Sequence, residues 1–160
     1  MSSTTAFEKF QQWTKAGFFD RIWEAGLVAY DDFEGIDWRW QSADGCQIKT
    51  PLGSEENGAG NNPTDGGKKG RKWLLLTEGN GVPIGILTSS ANRHDSRLLA
   101  SLLESSYVST DRRRRVFNLC LDAGFVGKEE TARKFGYIPH IRSRGDEKKI
   151  IEESNFTARR

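Results

Sequence analysis

The chain has 160 residues, 36% of them hydrophobic, with five Trp, nine Phe and a formal net charge of +2. That length suits one compact domain, and the aromatic content can fill its core. The composition excludes a uniformly basic protein, no apolar run reaches membrane-span length, and the two cysteines form neither a metal spacing nor a secreted disulfide framework.

Residues 1–5 are polar and carry no leader pattern, so Cys46 and Cys120 are expected as reduced thiols in a cytoplasmic protein. Residues 5–30 are predicted to be helical. Phe7, Phe10 and Trp13 form one apolar stripe, Phe19, Ile22, Trp23, Gly26 and Leu27 form a second, and Gly17 marks a turn between them. Aromatic stripes with few basic residues predict a core-facing helical hairpin rather than a DNA-reading helix. The acidic Asp31-Asp32-Phe33-Glu34-Gly35 is expected as a linker. In Trp38-Arg39-Trp40-Gln41-Ser42-Ala43-Asp44 bulky and small residues alternate with period two, a strand signal. Trp38, Trp40, Ser42 and Asp44 fall on one side, Arg39, Gln41 and Ala43 on the other, and Gly45 is expected to end the run.

Residues 46–50 then read as a short partner strand, and 51–70 as a loop rich in Gly and Asn. A loop of that length is usually functional or mobile. Its lysines suit phosphate contact, its composition equally suits a solvated surface, and it has no Walker-type spacing. Residues 72–77 and 83–88 are two strands joined by a hairpin at Asn80-Gly81. Asp95 or Ser96 is expected to cap a helix carrying Leu98, Leu99, Leu102 and Leu103 on one face. Residues 116–121 are an apolar strand stopped by Asp122-Ala123-Gly124. A helix over about 128–135 stops at Gly136, and Tyr137-Ile138-Pro139-His140-Ile141 is a last strand that Pro139 places at an edge.

The order is a helical lead (1–35), then three mostly antiparallel strands, helix, strand, helix, strand (36–160). It predicts an α/β ribonuclease-H-like fold with a mixed sheet. In such a sheet the first strand lies beside the fourth, so Asp44 and Asp122 become neighbours at strand ends, where open α/β sheets hold ligands. Two aspartates from separate strands suit magnesium, or manganese in its place. Such an ion takes hard oxygen ligands and is held by one or two carboxylates plus substrate phosphates. Two such ions serve an in-line phosphoryl transfer. Without a cation the pair would repel. Initiating a turn is the plainer role for either aspartate. Basic clusters at Lys68, Lys69, Arg71 and Lys72, and the four arginines at 112–115, suit a phosphate-rich partner or a solvated face.

Several short motifs follow one another along the chain. They are Phe10-Gln11-Gln12-Trp13 with Gly17-Phe18-Phe19, Gln41-Ser42-Ala43-Asp44-Gly45 with Lys49-Thr50-Pro51-Leu52-Gly53, and Asn62-Pro63-Thr64-Asp65 with Gly67-Lys68-Lys69-Gly70 and Lys72. Gly79-Asn80-Gly81-Val82-Pro83-Ile84, Ala91-Asn92-Arg93-His94-Asp95, Leu119-Cys120-Leu121-Asp122-Ala123-Gly124-Phe125 and Gly136-Tyr137-Ile138-Pro139-His140-Ile141-Arg142-Ser143-Arg144-Gly145 continue the series. Together they resemble the catalytic domain of bacterial insertion-sequence transposases of the Asp-Asp-Glu class, in the group related to insertion sequence five.

The resemblance implies DNA transposition by metal-dependent strand cleavage and joining, with Asp44 and Asp122 as the first two acidic ligands of magnesium or manganese. It implies double-stranded DNA as partner, both terminal inverted repeats and target. It also implies association with itself or with full-length transposase, and a cytoplasmic, nucleoid-associated location. Lys49, Lys68, Lys69, Arg71, Lys72, Arg93 and His94 are the expected DNA contacts. The chain departs from the family at Gly66, commonly Arg, at Glu78, commonly Asp, and at Ala123-Gly124-Phe125, commonly Lys-Gly-Tyr. Ala158-Arg159-Arg160 resembles the lead into a helix bearing the third ligand, a glutamate. The chain is therefore expected to be a fragment, incomplete at the C-terminus and lacking the usual amino-terminal segment. Glu152 and Glu153 precede the expected ligand position, and Glu129 and Glu130 fit a helix surface. Three readings compete: an inactive fragment that only binds DNA or intact transposase, an interaction module built on the helical lead, and another nuclease on the same fold.

Overall fold

The computed structural model describes residues 3–56, 58–106, 117–146 and 149. The chain divides into two compact units, 1–36 and 37–160. In the first, α1 (Ser3–Lys15) and α2 (Phe18–Phe33) flank Gly17, whose φ of 64° permits the reversal. The ring centroids of Phe10 and Phe19 lie 5.4 Å apart, and those of Trp13 and Phe18 5.5 Å apart. The stripes therefore meet, as a helical hairpin requires. Phe7, Phe10, Trp13, Ile22 and Trp23 remain between 41% and 60% exposed. Two short helices share one face, which cannot enclose so many large side chains. The expected acidic linker is also corrected, because α2 continues through Phe33.

The second unit holds a mixed sheet of six strands: β1 (Trp40–Lys49), β2 (Gly60–Asn61), β3 (Lys69–Glu78), β4 (Pro83–Ser90), β5 (Phe117–Leu121) and β6 (Tyr137–Ile141). The order is β2-β3-β1-β5-β6, with β4 also on β3. β1, β3 and β4 are antiparallel neighbours, while β5 is parallel to β1 and β6 to β5. Parallel pairing requires crossovers, and α3 (Asp95–Ser105) and α4 (Glu129–Lys134) supply them. β1 thus lies beside β5, as the order of elements predicts.

Glycines record where α3 crosses the sheet. A Cβ on Gly45 would lie 2.9 Å from Asp95 Oδ1, and one on Gly85 3.0 Å from the Ser106 Cβ. Leu98, Leu99, Leu102 and Leu103 of α3 are buried, as are Leu74 and Leu76 of β3 and Leu119 and Leu121 of β5. Successive strand residues point to opposite faces. Gln41 and Ala43 therefore share the covered face with Gly45, and Trp40, Ser42, Asp44 and Cys46 take the exposed one. Trp38, expected in the same strand, precedes it and is buried.

Gly45 does not end the strand either. β1 is continuous through residues 46–49, and Gly45 pairs with Leu74 of β3. Its missing side chain makes room for Asp95 instead of making a turn. The α3 cap also shifts by one residue: His94 Nδ1 accepts from Ser96 N.

The β3–β4 hairpin closes on Glu78, only 2% exposed. Its Oε1 accepts from Asn80 N (2.9 Å) and Val82 N (3.0 Å), and its Oε2 from Asp37 N (2.9 Å) and Asn80 Nδ2 (3.2 Å). Four donors satisfy a carboxylate that burial would otherwise penalise. Glu129 serves α4: backbone N–H groups, its own and that of Gly127, hold its carboxyl below the usual value. Among the described residues, no helix is long and apolar enough to cross a membrane.

Candidate metal site and nucleic-acid surface

The parallel register pairs Trp40 with Asn118, Gln41 with Leu119, Ser42 with Cys120 and Ala43 with Leu121. Asp44 is the next residue of β1, and Asp122 is the first residue after β5. Neighbouring strands lie about 4.8 Å apart, and side chains in parallel register share a face. The two carboxylates thus start from adjacent backbone positions. β5 ends here while β1 runs on beside β3, so only Asp122 stands at the end of a strand.

Both aspartates are exposed. Asp44 Oδ1 accepts from Gly45 N at 2.7 Å. Asp122 Oδ1 accepts from Gly124 N at 3.0 Å and caps the short 3-10 turn Ala123–Phe125. Asp122 therefore does serve a turn, but with one oxygen. Two hard carboxylates, each oriented by a backbone N–H, suit a divalent ion that keeps water or phosphate oxygens in its remaining positions. No group of three or more His, Cys, Asp and Glu that could hold a metal occurs among the described residues. Asp95 does not join the pair, because it sits on the covered face beside Gly45. Glu78 is enclosed by its hairpin.

The expected DNA contacts separate by exposure. Lys72 is a correction. Its side chain is 7% exposed, with Nζ 2.8 Å from Asp95 Oδ1 and donating to the Arg93 carbonyl at 2.7 Å. It alternates with Arg71 along β3, so it points under α3 rather than toward a phosphate. Lys49 pairs with Asp65 at 3.2 Å and Lys69 with Glu55 at 3.3 Å, which ties the 51–70 loop to the ends of its strands. Lys68 is exposed.

Arg71 and Arg93 line one polar cleft of about 500 Å³ together with Ser90 and Asn92. Arg93 and His94 line the next with Arg97, a cation that the sequence reading did not single out. Its signal was its place three residues after His94, in the first turn of the capped helix. The arginines at 112–115, Glu152, Glu153 and the terminal Ala158-Arg159-Arg160 lie outside the described residues.

Beside Asp122, the Trp40 indole lies 5.0 Å from the His140 ring. His140 Nε2 is 2.8 Å from Asn118 Oδ1, and Asn118 Nδ2 donates to the Arg39 carbonyl at 3.0 Å. Trp40, His140 and Arg142 help to line a cleft of about 610 Å³.

No protein-family model matches the chain, and no curated protein matches it. Among solved structures it is similar to the piggyBac transposase in a synaptic complex with hairpin DNA, with 14% identity over 76% of this chain and a TM-score of 0.39. That similarity is too low to support an argument about function, and the chain spans 26% of that transposase chain.

Proposed function

We propose that this chain carries a ribonuclease-H-like unit for metal-dependent DNA strand cleavage and joining, of the Asp-Asp-Glu transposase kind. The observation that supports this reading is the parallel pairing of β1 with β5, whose register runs to Ala43 and Leu121, the residues before Asp44 and Asp122. The motif series resembling insertion-sequence transposases supports it independently.

In this reading Asp44 and Asp122 hold magnesium or manganese, which when bound neutralises charge on the attacking and leaving oxygens. The Gly45 and Gly124 amides fix the orientation of the two carboxylates. Arg71, Arg93, Arg97 and Lys68 hold the phosphate backbone without reading sequence. Lys72 holds Asp95, and through it the start of α3, in place. Water or a DNA hydroxyl is the nucleophile, and a further carboxylate would come from outside the described residues. The double-stranded partner and self-association belong to this reading as well.

The test is cleavage or joining of terminal inverted repeats in magnesium. Asp44→Asn and Asp122→Asn each abolish turnover while duplex retention persists. Turnover that survives the double substitution contradicts the assignment. A chain that retains duplex but never cuts it supports the second reading, a DNA-binding fragment.

A further inference from the structure

The exposed face of the sheet carries two indoles in line with the aspartate pair. Trp40 precedes Asp44 by four residues on β1, roughly 13 Å of strand rise. Trp73 pairs with Cys46, two residues beyond Asp44, about 7 Å in the opposite direction. Both share the face of Asp44 by strand alternation, and each is 40% exposed.

Each indole borders a cleft that contains a guanidinium: Trp40 with Arg142, and Trp73 with Arg71. The ring of Trp40 is also backed. His140 packs against it, Asn118 holds His140, and the Arg39 carbonyl holds Asn118.

What lies between the indoles decides what binds them. An apolar helix laid here would bury the Asp44 carboxylate, which accepts from the Gly45 amide. A polyanion with flat aromatic faces is repelled by bare carboxylates, and its phosphates approach them only with a cation between. It finds a cation at each end, a ring at each end, and in the middle two carboxylates that attract a metal. A duplex keeps its base faces inside its own stack, whereas an unpaired strand presents them to aromatic side chains.

We propose that this face takes DNA as an unpaired strand, with bases stacked on Trp40 and on Trp73 at either side of the Asp44–Asp122 pair. The substrate of the site is then a melted strand end, with its duplex portion held by the basic clefts. This deepens the function proposed above, on which it rests for the position of the reacting phosphate.

The experiment measures fluorescence anisotropy of labelled oligothymidine and of a duplex of equal length with the full chain in calcium, a divalent ion that can screen the carboxylate pair. Trp40→Ala and Trp73→Ala each weaken oligothymidine binding about five- to a hundredfold and leave duplex binding unchanged. Trp40→Phe, which keeps a ring, stays within about threefold of the parent, whereas Trp40→Leu does not. The Phe and Leu pair decides the matter if either alanine variant fails to fold. Oligothymidine affinity indifferent to both tryptophans, Leu equal to Phe, or an equal loss for duplex overturns the proposal.

Manganese binding, read by electron paramagnetic resonance, separates the two ideas. A manganese site lost in Asp44→Asn, with single-strand binding indifferent to the tryptophans, overturns this inference alone. Tryptophan-dependent binding without any manganese site upholds it and removes the metal reading.

Discussion

Replacing Glu78 with Gln is nearly isosteric and changes only the donor–acceptor balance of a buried group. Each Glu78 oxygen accepts two N–H bonds. An amide offers one oxygen, so its NH₂ must face two donors whichever way it is turned. Facing the Oε2 position costs less, because one donor there is the side-chain amide of Asn80, which can itself flip. The Asp37 amide then remains unsatisfied, and the surviving bonds lose the help of charge. A hydrogen bond to a charged group is worth about 1.5–3 kcal/mol, and a buried unmet donor costs about 1–3 kcal/mol. With relaxation the loss comes to about 2–4 kcal/mol, a fall in Tm of roughly 8–15 °C for a unit of this size. Urea unfolding followed by tryptophan fluorescence measures it. A loss below about 1 kcal/mol would refute the reasoning that these four bonds close the hairpin.

Lys72→Met strands the Asp95 carboxylate, whose side chain is 29% exposed, and the Arg93 carbonyl, costing about 1–3 kcal/mol in chemical unfolding. The same change leaves the salt slope of DNA binding untouched, whereas Lys68→Ala or Arg93→Ala lowers that slope by about one. Gly45→Ala drives a methyl group against Asp95 and destabilises by about 1–3 kcal/mol, with the shift largest at the start of α3 in amide chemical shifts. The Glu129 carboxyl lies below its usual value when folded. Its contribution to α4 is therefore complete above the unfolded carboxyl range and is lost as pH falls through the lowered value. Protection factors of the α4 amides, corrected for the intrinsic pH dependence of exchange, fall over that acid range in the parent, and Glu129→Gln flattens the dependence.

Periodic and ordinal signals carry the fold. The alternation around Trp40 locates β1, the leucines of α3 locate the covered face, and the sequence of elements places β1 beside β5. Such signals fail where one residue type serves two ends. Glycine in a strand marks either a stop or a close approach, and Gly45 is the second because α3, fifty positions later in the chain, begins against it. Proximity groups Lys72 with Arg71, whereas period two places it with Leu74 and Leu76 on the covered face. The helical stripes were located correctly, but periodicity shows which side is apolar and not how much of it a partner encloses. For the site, a sequence supplies two aspartates, and their spacing depends on strand register, which pairing of distant segments sets.

Manganese titration of the full chain, followed by electron paramagnetic resonance, tests the central claim most directly. The account predicts one class of site that needs both carboxylates, with Asp44→Asn and Asp122→Asn each weakening it at least about tenfold and the double variant abolishing it. A parent chain that binds no manganese, or a double variant that binds it as the parent does, would contradict the account.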